Sequence, residues 1–359
     1  MARLYSDLKI FHFGSKLKDI AKGIFSSPIH VRLKPTNRCT HKCYYCCYRT
    51  DKLYLSQCFR DNDEIPQDKM KEIITDFGRM QVKAVTLSGG GEPLYYPYFI
   101  ETIKGLSAAG VKIGVLTNGS LLKGKTALVL GEEADWVRIS MDAANPDTYA
   151  KTRNVSVKEF NNICTNIYNF SKNMKKRCQL GVHFIVTRVN CREIYKFLKL
   201  MKKIGVGHVK LSEAVISTKR EENRREYRPI LHLVRQQINK GVTDLTDNNF
   251  TIIDKFDYFK GDDSSYNKRY THCCFSECMT VIGADMNVYA CQDKAYTRSG
   301  KLGSIKNKSF REIWFSNEIK NKISKLNPHK DCLHHCTQHS KNLMLLDYLG
   351  IRKEHLGFI

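Results

Sequence analysis

Three cysteines within one short loop constrain this chain more than any other feature. They stand at C-x3-C-x2-C spacing in Cys39-Thr-His-Lys-Cys43-Tyr-Tyr-Cys46, directly after an apolar, strand-like stretch at residues 30–37. Four thiolates would complete a zinc or iron–sulfur site, whereas three leave one metal position free for a ligand that is not protein. The loop therefore predicts a metal centre with an open position, where an iron can bind and reduce a substrate.

The other cysteines predict a second metal centre. The chain has 359 residues and 14 cysteines, of which four lie between residues 39 and 47 and six between 273 and 336. The first 30 residues show no apolar segment with a small-residue cleavage site, and no stretch is long and apolar enough to cross a membrane. We therefore expect a cytoplasmic protein whose thiols hold metal clusters rather than disulfides.

Apolar runs alternate with helical patterns from residue 30 to about 215. This alternation is typical of an α/β fold with parallel strands, in which loops at the carboxyl ends of the strands build the site. The sheet is expected to be open or curled into a partial barrel. The predicted strands are His30–Asn37, Lys83–Leu87, Lys112–Thr117, Trp136–Met141, Gly181–Thr187 and His208–Ser212, with a further candidate at Phe250–Phe256.

A glycine-rich turn follows the second predicted strand, in Leu87-Ser-Gly-Gly-Gly-Glu-Pro-Leu94. Its three glycines would let a ligand approach the backbone closely. Its glutamate can accept hydrogen bonds from a ligand ammonium group, and its proline stiffens the turn. A glycine run alone is more often a plain turn, so its value comes from its place one βα unit after the cysteine loop.

Together, the cysteine loop and the glycine turn resemble the radical S-adenosylmethionine (radical SAM) superfamily over roughly residues 30 to 215. The resemblance implies a partial (β/α)6 TIM-type barrel, a [4Fe-4S] cluster held by three cysteines, and S-adenosylmethionine bound at the open iron. The implied cluster ligands are Cys39, Cys43 and Cys46. The implied cofactor-binding residues are Tyr45, Gly89, Gly90, Gly91, Glu92, Pro93, Asn118, Ser140, Asp142 and Arg153.

A cysteine-rich segment at about residues 271 to 345 resembles the SPASM/Twitch extension of radical SAM enzymes. The resemblance implies one auxiliary [4Fe-4S] cluster in a small α+β extension. Its expected ligands are Cys273, Cys291, Cys332 and Cys336, and Cys274 or Cys278 could replace Cys273.

A hairpin turning at residues 285–287 is predicted between Cys273 and Cys291. The family usually has glycine after the aspartate of this turn, where this chain has Met286. We expect Asn287 to take the left-handed backbone conformation instead.

Five segments are expected along the chain. They are an N-terminal basic helical extension at 1–29, the radical SAM partial barrel at 30–216, a bridging segment at 217–270, the auxiliary cluster domain at 271–345 and a C-terminal tail at 346–359.

The resemblance implies an oxidoreductase that cleaves S-adenosylmethionine reductively to a 5′-deoxyadenosyl radical and abstracts hydrogen from a substrate carbon. The auxiliary cluster would assist oxidation of a sugar, aminocyclitol or nucleotide-linked metabolite. The net charge of +23 favours a phosphorylated or nucleotide-linked substrate. An electron donor such as flavodoxin or ferredoxin is the expected partner.

Other functions stay open at the level of sequence. Cys47, Cys274 or Cys278 could return a hydrogen atom to the substrate, which would make the protein a radical epimerase. A ribosomal-peptide maturase and an RNA-modifying radical enzyme are further alternatives.

A non-enzymatic alternative is a zinc-binding module that contacts nucleic acid through its positive charge. In that case His41 would complete the first site. His334, His335 and His339 offer ligands for the second site.

Overall fold

Seven parallel strands lie side by side in chain order and form most of one sheet. The structure is a computed structural model that describes residues 5–50, 53, 57–175, 178–256, 265–355 and 357–358. The strands are β1 His30–Leu33, β2 Ala84–Leu87, β3 Lys112–Thr117, β4 Trp136–Ser140, β5 Gln179–Val186, β6 His208–Glu213 and β7 Thr251–Asp254. The six strands predicted in the barrel region are confirmed, and β7 corresponds to the further candidate.

Helices connect the strands and cover the sheet with amphipathic faces. In one of them Phe197, Leu198 and Met201 are fully buried, as their helical spacing predicts. None of the helices in the described ranges is long and apolar enough to cross a membrane. The helices are α1 Gly14–Ala21, α2 Gln67–Arg79, α3 Phe99–Ala108, α4 Gly124–Glu133, α5 Pro146–Arg153, α6 Lys158–Asn173, α7 Ile194–Ile204, α8 Arg220–Tyr227, α9 Leu231–Leu245, α10 Phe310–Trp314, α11 Asn317–Lys325, α12 Pro328–Asp331 and α13 His339–Gly350.

Three C-terminal strands extend the same sheet beyond β1. They are β8 Met279–Ile282, β9 Asn287–Tyr289 and β10 Lys301–Ser304. Strand β8 pairs with β1 in parallel, and β9 pairs with β8 and β10 in antiparallel fashion. The order of the ten strands is linear, from β10 through β9, β8 and β1 to β7, so the sheet is a partial barrel and not a closed one.

The turn between β8 and β9 differs from the expectation in one detail. Met286, and not Asn287, has the left-handed backbone, with φ of +59°. The amide of Asn287 donates to Asp285 Oδ1 at 3.2 Å and begins β9. The expectation for Asn287 was therefore wrong. Methionine accepts an unfavourable backbone conformation here while its side chain packs against the main core.

The C-terminal segment packs firmly on the barrel. Trp314 is fully buried, and its indole nitrogen donates to the carbonyl of Ser26 at 3.1 Å. The rings of Phe77 on α2 and Phe310 on α10 meet edge to face at 5.6 Å. Because these contacts join the two regions, the cysteine-rich segment is held in a defined position beside the barrel.

The N-terminal helix α1 packs on the C-terminal segment. Leu17 lies in an apolar cluster with Phe275, Met279 and Leu345. Residues 1–4 of the expected N-terminal extension and residues 257–264 of the expected bridging segment lie outside the described residues.

Candidate active site

One cavity of about 460 Å³ lies between the carboxyl-end loops of the barrel strands and the C-terminal segment. The cysteine loop forms one wall, and Gln292, Asp293 and His335 of the C-terminal segment contribute to another. Most residues that the sequence predicted for the site line this cavity: Cys39, Cys43, Tyr45, Cys46, Cys47, Gly89, Gly90, Gly91, Glu92, Asn118, Ser140 and Arg153. Pro93 and Asp142 are buried beside it and do not line it.

Each thiol of the cysteine loop has a nitrogen donor nearby. Asn118 Nδ2 lies 4.0 Å from Cys39 Sγ, Arg153 Nη1 lies 3.4 Å from Cys43 Sγ, and Arg49 Nη1 lies 3.9 Å from Cys46 Sγ. Burial raises the pKa of Cys39 to about 11 and also raises the pKa of Cys43. Such thiols ionise only when a cation compensates their charge. Three thiolates with N–H donors around them are the donor set that a [4Fe-4S] cluster requires.

His41 is not placed to complete a zinc site with these cysteines. Its Nδ1 lies 3.0 Å from Thr40 Oγ1, and its Nε2 lies 3.2 Å from the hydroxyl of Tyr149. Both ring nitrogens are therefore engaged within the protein. Across the described ranges, no group of three or more His, Cys, Asp or Glu side chains is arranged to hold a metal ion.

The glycines of the turn after β2 are required by the protein's own packing. A Cβ atom at Gly90 would lie 1.8 Å from Asn37 Oδ1, and one at Gly91 would lie 2.0 Å from the carbonyl oxygen of Arg38. The amide of Glu92 donates to that same carbonyl at 2.8 Å. The sequence interpretation assigned these glycines to ligand approach, but they first allow the turn to pack against the residues that lead into Cys39.

Glu92 ties the turn after β2 to the end of β3. Its carboxylate accepts hydrogen bonds from the Leu94 amide at 3.1 Å, the Thr117 hydroxyl at 2.6 Å and the Asn118 amide at 2.7 Å. Burial raises its pKa to about 7 despite these donors. A carboxylate has about four acceptor positions, so roughly one is left for the ligand ammonium group that the sequence predicted.

Asp142 acts through its neighbours and does not face the cavity. Its Oδ1 accepts a hydrogen bond from the Ile185 amide at 3.0 Å, and its Oδ2 lies 2.6 Å from Arg153 Nη2 and accepts a hydrogen bond from the Tyr45 hydroxyl. The sequence placed Asp142 near the ligand, and the structure corrects this because β4 ends at Ser140 and the aspartate turns back into the core. Ser140 does line the cavity.

Sequence reasoning missed Lys34, which lies fully buried under the cysteine loop. Its Nζ donates to the Tyr48 hydroxyl at 2.6 Å and to the Gly89 carbonyl at 2.9 Å. Burial lowers the pKa of Lys34 to about 7. A signal was present, because His30, Arg32 and Lys34 alternate with apolar residues in and after β1, a pattern that puts polar side chains inside the barrel.

The structure brings the four expected auxiliary ligands together. Burial raises the pKa of Cys291 strongly, and the nearby Asp293 and the thiols of Cys336, Cys332 and Cys273 raise it further. Cys273 precedes a short 3-10 helix at 274–277, Cys291 follows β9, and the last two cysteines follow α12. Four thiols from three separate loops therefore lie close enough for their charges to affect one another. That they ligate one auxiliary cluster stays a prediction.

Lys268 orders the loop that carries the last two of these cysteines. It is buried, and its ammonium donates to the backbone carbonyls of Cys332 and His334. The amide of Cys336 donates to the Ser265 carbonyl at 3.0 Å. No pattern in the sequence predicts a role for this lysine, which lies outside the cysteine and glycine motifs.

Cys274 and Cys278 lie outside the lining of the cavity. They are buried with Leu17, Phe275 and Leu345 in the apolar cluster under α1, against which Cys273 also packs. Their absence from the lining argues against a role as hydrogen donor, and the choice among Cys273, Cys274 and Cys278 as the auxiliary ligand stays a prediction. Of the three cysteines that were expected as hydrogen donors, Cys47 lines the cavity, and burial raises its pKa to about 12.

Comparison with known proteins matches these two regions separately. Residues 33–201 match the family described as Radical SAM superfamily, and residues 273–338 match SPASM, an iron–sulfur cluster-binding domain. A probable GTP 3′,8-cyclase from Saccharolobus solfataricus is 25% identical over 196 residues, which are 53% of this chain and 58% of the relative. The match thus spans a little over half the length of that relative.

Solved structures resemble nearly the whole chain at the level of fold. SuiB of Streptococcus suis bound to S-adenosylmethionine has a TM-score of 0.60 at 15% identity, covering 90% of this chain and 74% of that one. The structure of anSMEcpe with bound AdoMet has a TM-score of 0.58 at 15% identity, covering 90% of this chain and 96% of that one. Both support the same partial barrel with a C-terminal extension.

Proposed function

We propose that this chain oxidises a carbon of a phosphorylated or nucleotide-linked metabolite. The premise is that it belongs to the radical SAM superfamily and carries a C-terminal SPASM domain. The cavity between the cysteine loop and the C-terminal segment carries this proposal, because residues of both regions line it. When bound, the first cluster and S-adenosylmethionine supply hydrogen-atom abstraction, and the auxiliary cluster supplies an electron acceptor.

The residues around the first cluster have distinct tasks in this proposal. Cys39, Cys43 and Cys46 hold the cluster, and their N–H donors favour the thiolate form. Arg153, fixed by Asp142, binds the carboxylate of the methionine moiety. The remaining acceptor position of Glu92 accepts a hydrogen bond from the ammonium group of the same methionine moiety.

The C-terminal segment contributes the second half of the oxidation. Four residues of this segment line the cavity: Gln292, Asp293, His334 and His335. The first two directly follow Cys291, and the two histidines lie between Cys332 and Cys336. Substrate bound in the cavity thus touches the loops that carry the auxiliary ligands. With both clusters and S-adenosylmethionine bound, the substrate would lose one hydrogen atom, which completes 5′-deoxyadenosine, one electron to the auxiliary centre and one proton to solvent. An external donor of the flavodoxin or ferredoxin class supplies the electron for each S-adenosylmethionine.

The substrate class is supported by charge and by one relative. The net charge is +23, and the relative from Saccharolobus solfataricus is named for a nucleotide substrate. SuiB was also solved bound to a precursor peptide, with a TM-score of 0.61 at 15% identity. That likeness concerns the fold, so a peptide substrate is an outcome to be tested and not the proposal.

The test is cleavage of S-adenosylmethionine by anaerobically reconstituted protein. With a chemical reductant, the wild type should form 5′-deoxyadenosine, and Cys43→Ala should not. Cys164→Ala is the matched control, because Cys164 lies half-buried on α6, away from the cavity. A colourless protein that carries zinc, or an iron-loaded wild type that forms no product, would refute the proposal.

A further inference from the structure

A second cavity, of about 550 Å³, lies inside the barrel beside the first. Glu213, Val215, His335 and Thr337 line both cavities, so the two spaces adjoin along one shared wall. The second cavity reaches toward the amino ends of the strands, where Trp136 begins β4. We call this space the basic chamber.

Basic side chains dominate the walls of the basic chamber. They come from β4, β6, the segment after β7, α13 and the N-terminal segment, and they are Arg138, Lys210, Lys255, Lys341 and Lys9, with His208 beside them. The acidic side chains in the lining are Asp7 and Glu213. Asp7 accepts a hydrogen bond from the Ser340 hydroxyl at 2.8 Å. Among the described residues of the lining, the basic side chains therefore outnumber the acidic ones.

Several of these basic groups lack a partner in the protein. Within the part of the chain that the structure describes, the ammonium groups of Lys210 and Lys255 make no hydrogen bond or ion pair. Arg138 Nη1 and His208 Nε2 both contact the Tyr5 hydroxyl, but Arg138 Nε and His208 Nδ1 are buried without a hydrogen-bond partner among the same residues. Buried donors are normally satisfied, so these groups indicate a ligand that the protein itself does not provide.

The free-energy cost of gathering these cations is reflected in the pKa of Lys210. Burial, together with the positive charges of Arg138, Lys255, Arg32 and Lys341, lowers the pKa of Lys210 to about 7. The interior of a parallel barrel is normally filled with branched apolar side chains. Packing alone does not explain several cations at such positions, whereas a bound anion would remove both the repulsion and the lost hydrogen bonds.

We propose that the basic chamber binds the phosphate or diphosphate group of the substrate and thereby holds the reacting carbon in the first cavity. The assignment of this ligand as the substrate rests on the proposed function. Guanidinium and ammonium donors on several walls match a group with many acceptor oxygens, as a diphosphate has. A chamber of about 550 Å³ does not admit a nucleic-acid duplex, so the ligand we propose is a small molecule.

The test measures binding of pyrophosphate to the cluster-loaded protein by calorimetry at constant ionic strength. The wild type should bind, and Lys210→Gln should weaken binding roughly tenfold or more, as expected when one charged donor is lost. Lys104→Gln is the matched control, because Lys104 is exposed on α3 and outside both cavities. No binding by the wild type, or equal affinity in Lys210→Gln, would overturn the proposal.

Two further measurements keep the result interpretable. Arg138→Gln removes a cation on β4 and should weaken pyrophosphate binding in the same direction, while thermal unfolding verifies that each variant is folded. Wild-type cleavage of S-adenosylmethionine is measured in the same preparation. Cleavage without pyrophosphate binding would refute anion binding in the basic chamber and leave the proposed function standing. Binding without cleavage would refute the proposed function and leave anion binding in the basic chamber standing.

Discussion

Arg153 and Asp142 form a buried ion pair, with 2.6 Å between Arg153 Nη2 and Asp142 Oδ2. The carboxylate is fully buried and does not line the cavity, whereas the guanidinium lines it and lies 3.4 Å from the thiol of Cys43. The pair thus connects the end of β4 to the ligands of the first cluster. On the proposed function, Asp142 is therefore a positioning residue, and Arg153 is the group that would contact the cofactor.

We predict that Asp142→Asn weakens binding of S-adenosylmethionine more than it slows turnover. Arg153 would keep its charge and lose the partner that orients it, so the KM for S-adenosylmethionine in 5′-deoxyadenosine formation should rise roughly tenfold. Breaking a buried pair also costs roughly 3 kcal/mol of unfolding free energy. Asp147→Asn, at an exposed position on α5, is the control. An unchanged KM would contradict this role for Asp142.

The auxiliary centre should be separable from the first by mutation. We predict that Cys332→Ala lowers the iron content by about half. It should retain S-adenosylmethionine cleavage without substrate and stop substrate oxidation. Iron analysis and 5′-deoxyadenosine measurement on the same anaerobic sample provide the readout. Loss of all iron, or full substrate turnover, would show that the two centres are not divided as proposed.

The choice of Cys273 over its neighbour can be tested directly. We predict that Cys273→Ala lowers iron content as Cys332→Ala does, whereas Cys274→Ala keeps the full content. Cys274 is packed against Leu17 and Leu345, so its replacement should cost only roughly 1 kcal/mol of stability from lost packing. If Cys274→Ala instead lost iron and Cys273→Ala kept it, the ligand assignment would be reversed.

The close packing under the cysteine loop makes Gly91 sensitive to substitution. A Cβ atom there would lie 2.0 Å from the Arg38 carbonyl oxygen, so Gly91→Ala must displace the backbone that leads into Cys39. We predict a loss of roughly 2 kcal/mol or more of unfolding free energy and poor assembly of the first cluster. Gly14→Ala, where no atom lies within 4 Å of the added Cβ, is the control. Normal iron content in Gly91→Ala would contradict the prediction.

The basic chamber predicts an unusual dependence of stability on pH. Because burial and neighbouring charges lower the pKa of Lys210 from 10.5 to about 7, protonated Lys210 destabilises the folded state. The penalty is fully present below pH 7 and disappears as the pH rises toward 10.5. Without a bound anion, Lys210→Met should therefore be more stable than the wild type at pH 6.5, and the difference should shrink by pH 9.5.

Chemical denaturation of the anaerobic protein at both pH values measures this difference. The charged groups that line the chamber and set the baseline are Arg138, His208, Lys255, Lys341, Lys9, Asp7 and Glu213, and Arg32 contributes its charge from the neighbouring cavity. Lys104→Met should show no such dependence, because its side chain is exposed. A variant Lys210→Met that is less stable than the wild type at pH 6.5 would argue that the lysine has an internal partner.

The sequence predicted the order of strands and the first cluster loop because both depend on local patterns. Apolar runs bounded by turns fixed β1 to β6, and the spacing of Cys39, Cys43 and Cys46 limited the chemistry of the loop. The orientation of Asp142 was not predictable, since it depends on how one residue past the end of β4 turns relative to Arg153 and Ile185. Tertiary packing therefore determines the orientation of the Asp142 side chain.

The interior charges were also missed, and for a physical reason. No role was predicted for Arg32, Arg138 and Lys210, although each stands at an alternating position in its strand. Strands of parallel sheets are usually apolar on both faces, so charged residues within them carry no signal of a shared interior site. Only the structure shows that these three positions lie on one side of the same sheet, where their charges affect one another.

The parallel pairing of β8 with β1 has a consequence for how the protein is built. Removing the chain from β8 onward would strip β1 of its neighbour and leave a row of unpaired backbone amides and carbonyls next to the cysteine loop. Such an exposed edge recruits other strands and promotes aggregation. The barrel and the C-terminal segment therefore share one continuous sheet, and we expect truncation before β8 to destabilise the barrel as well.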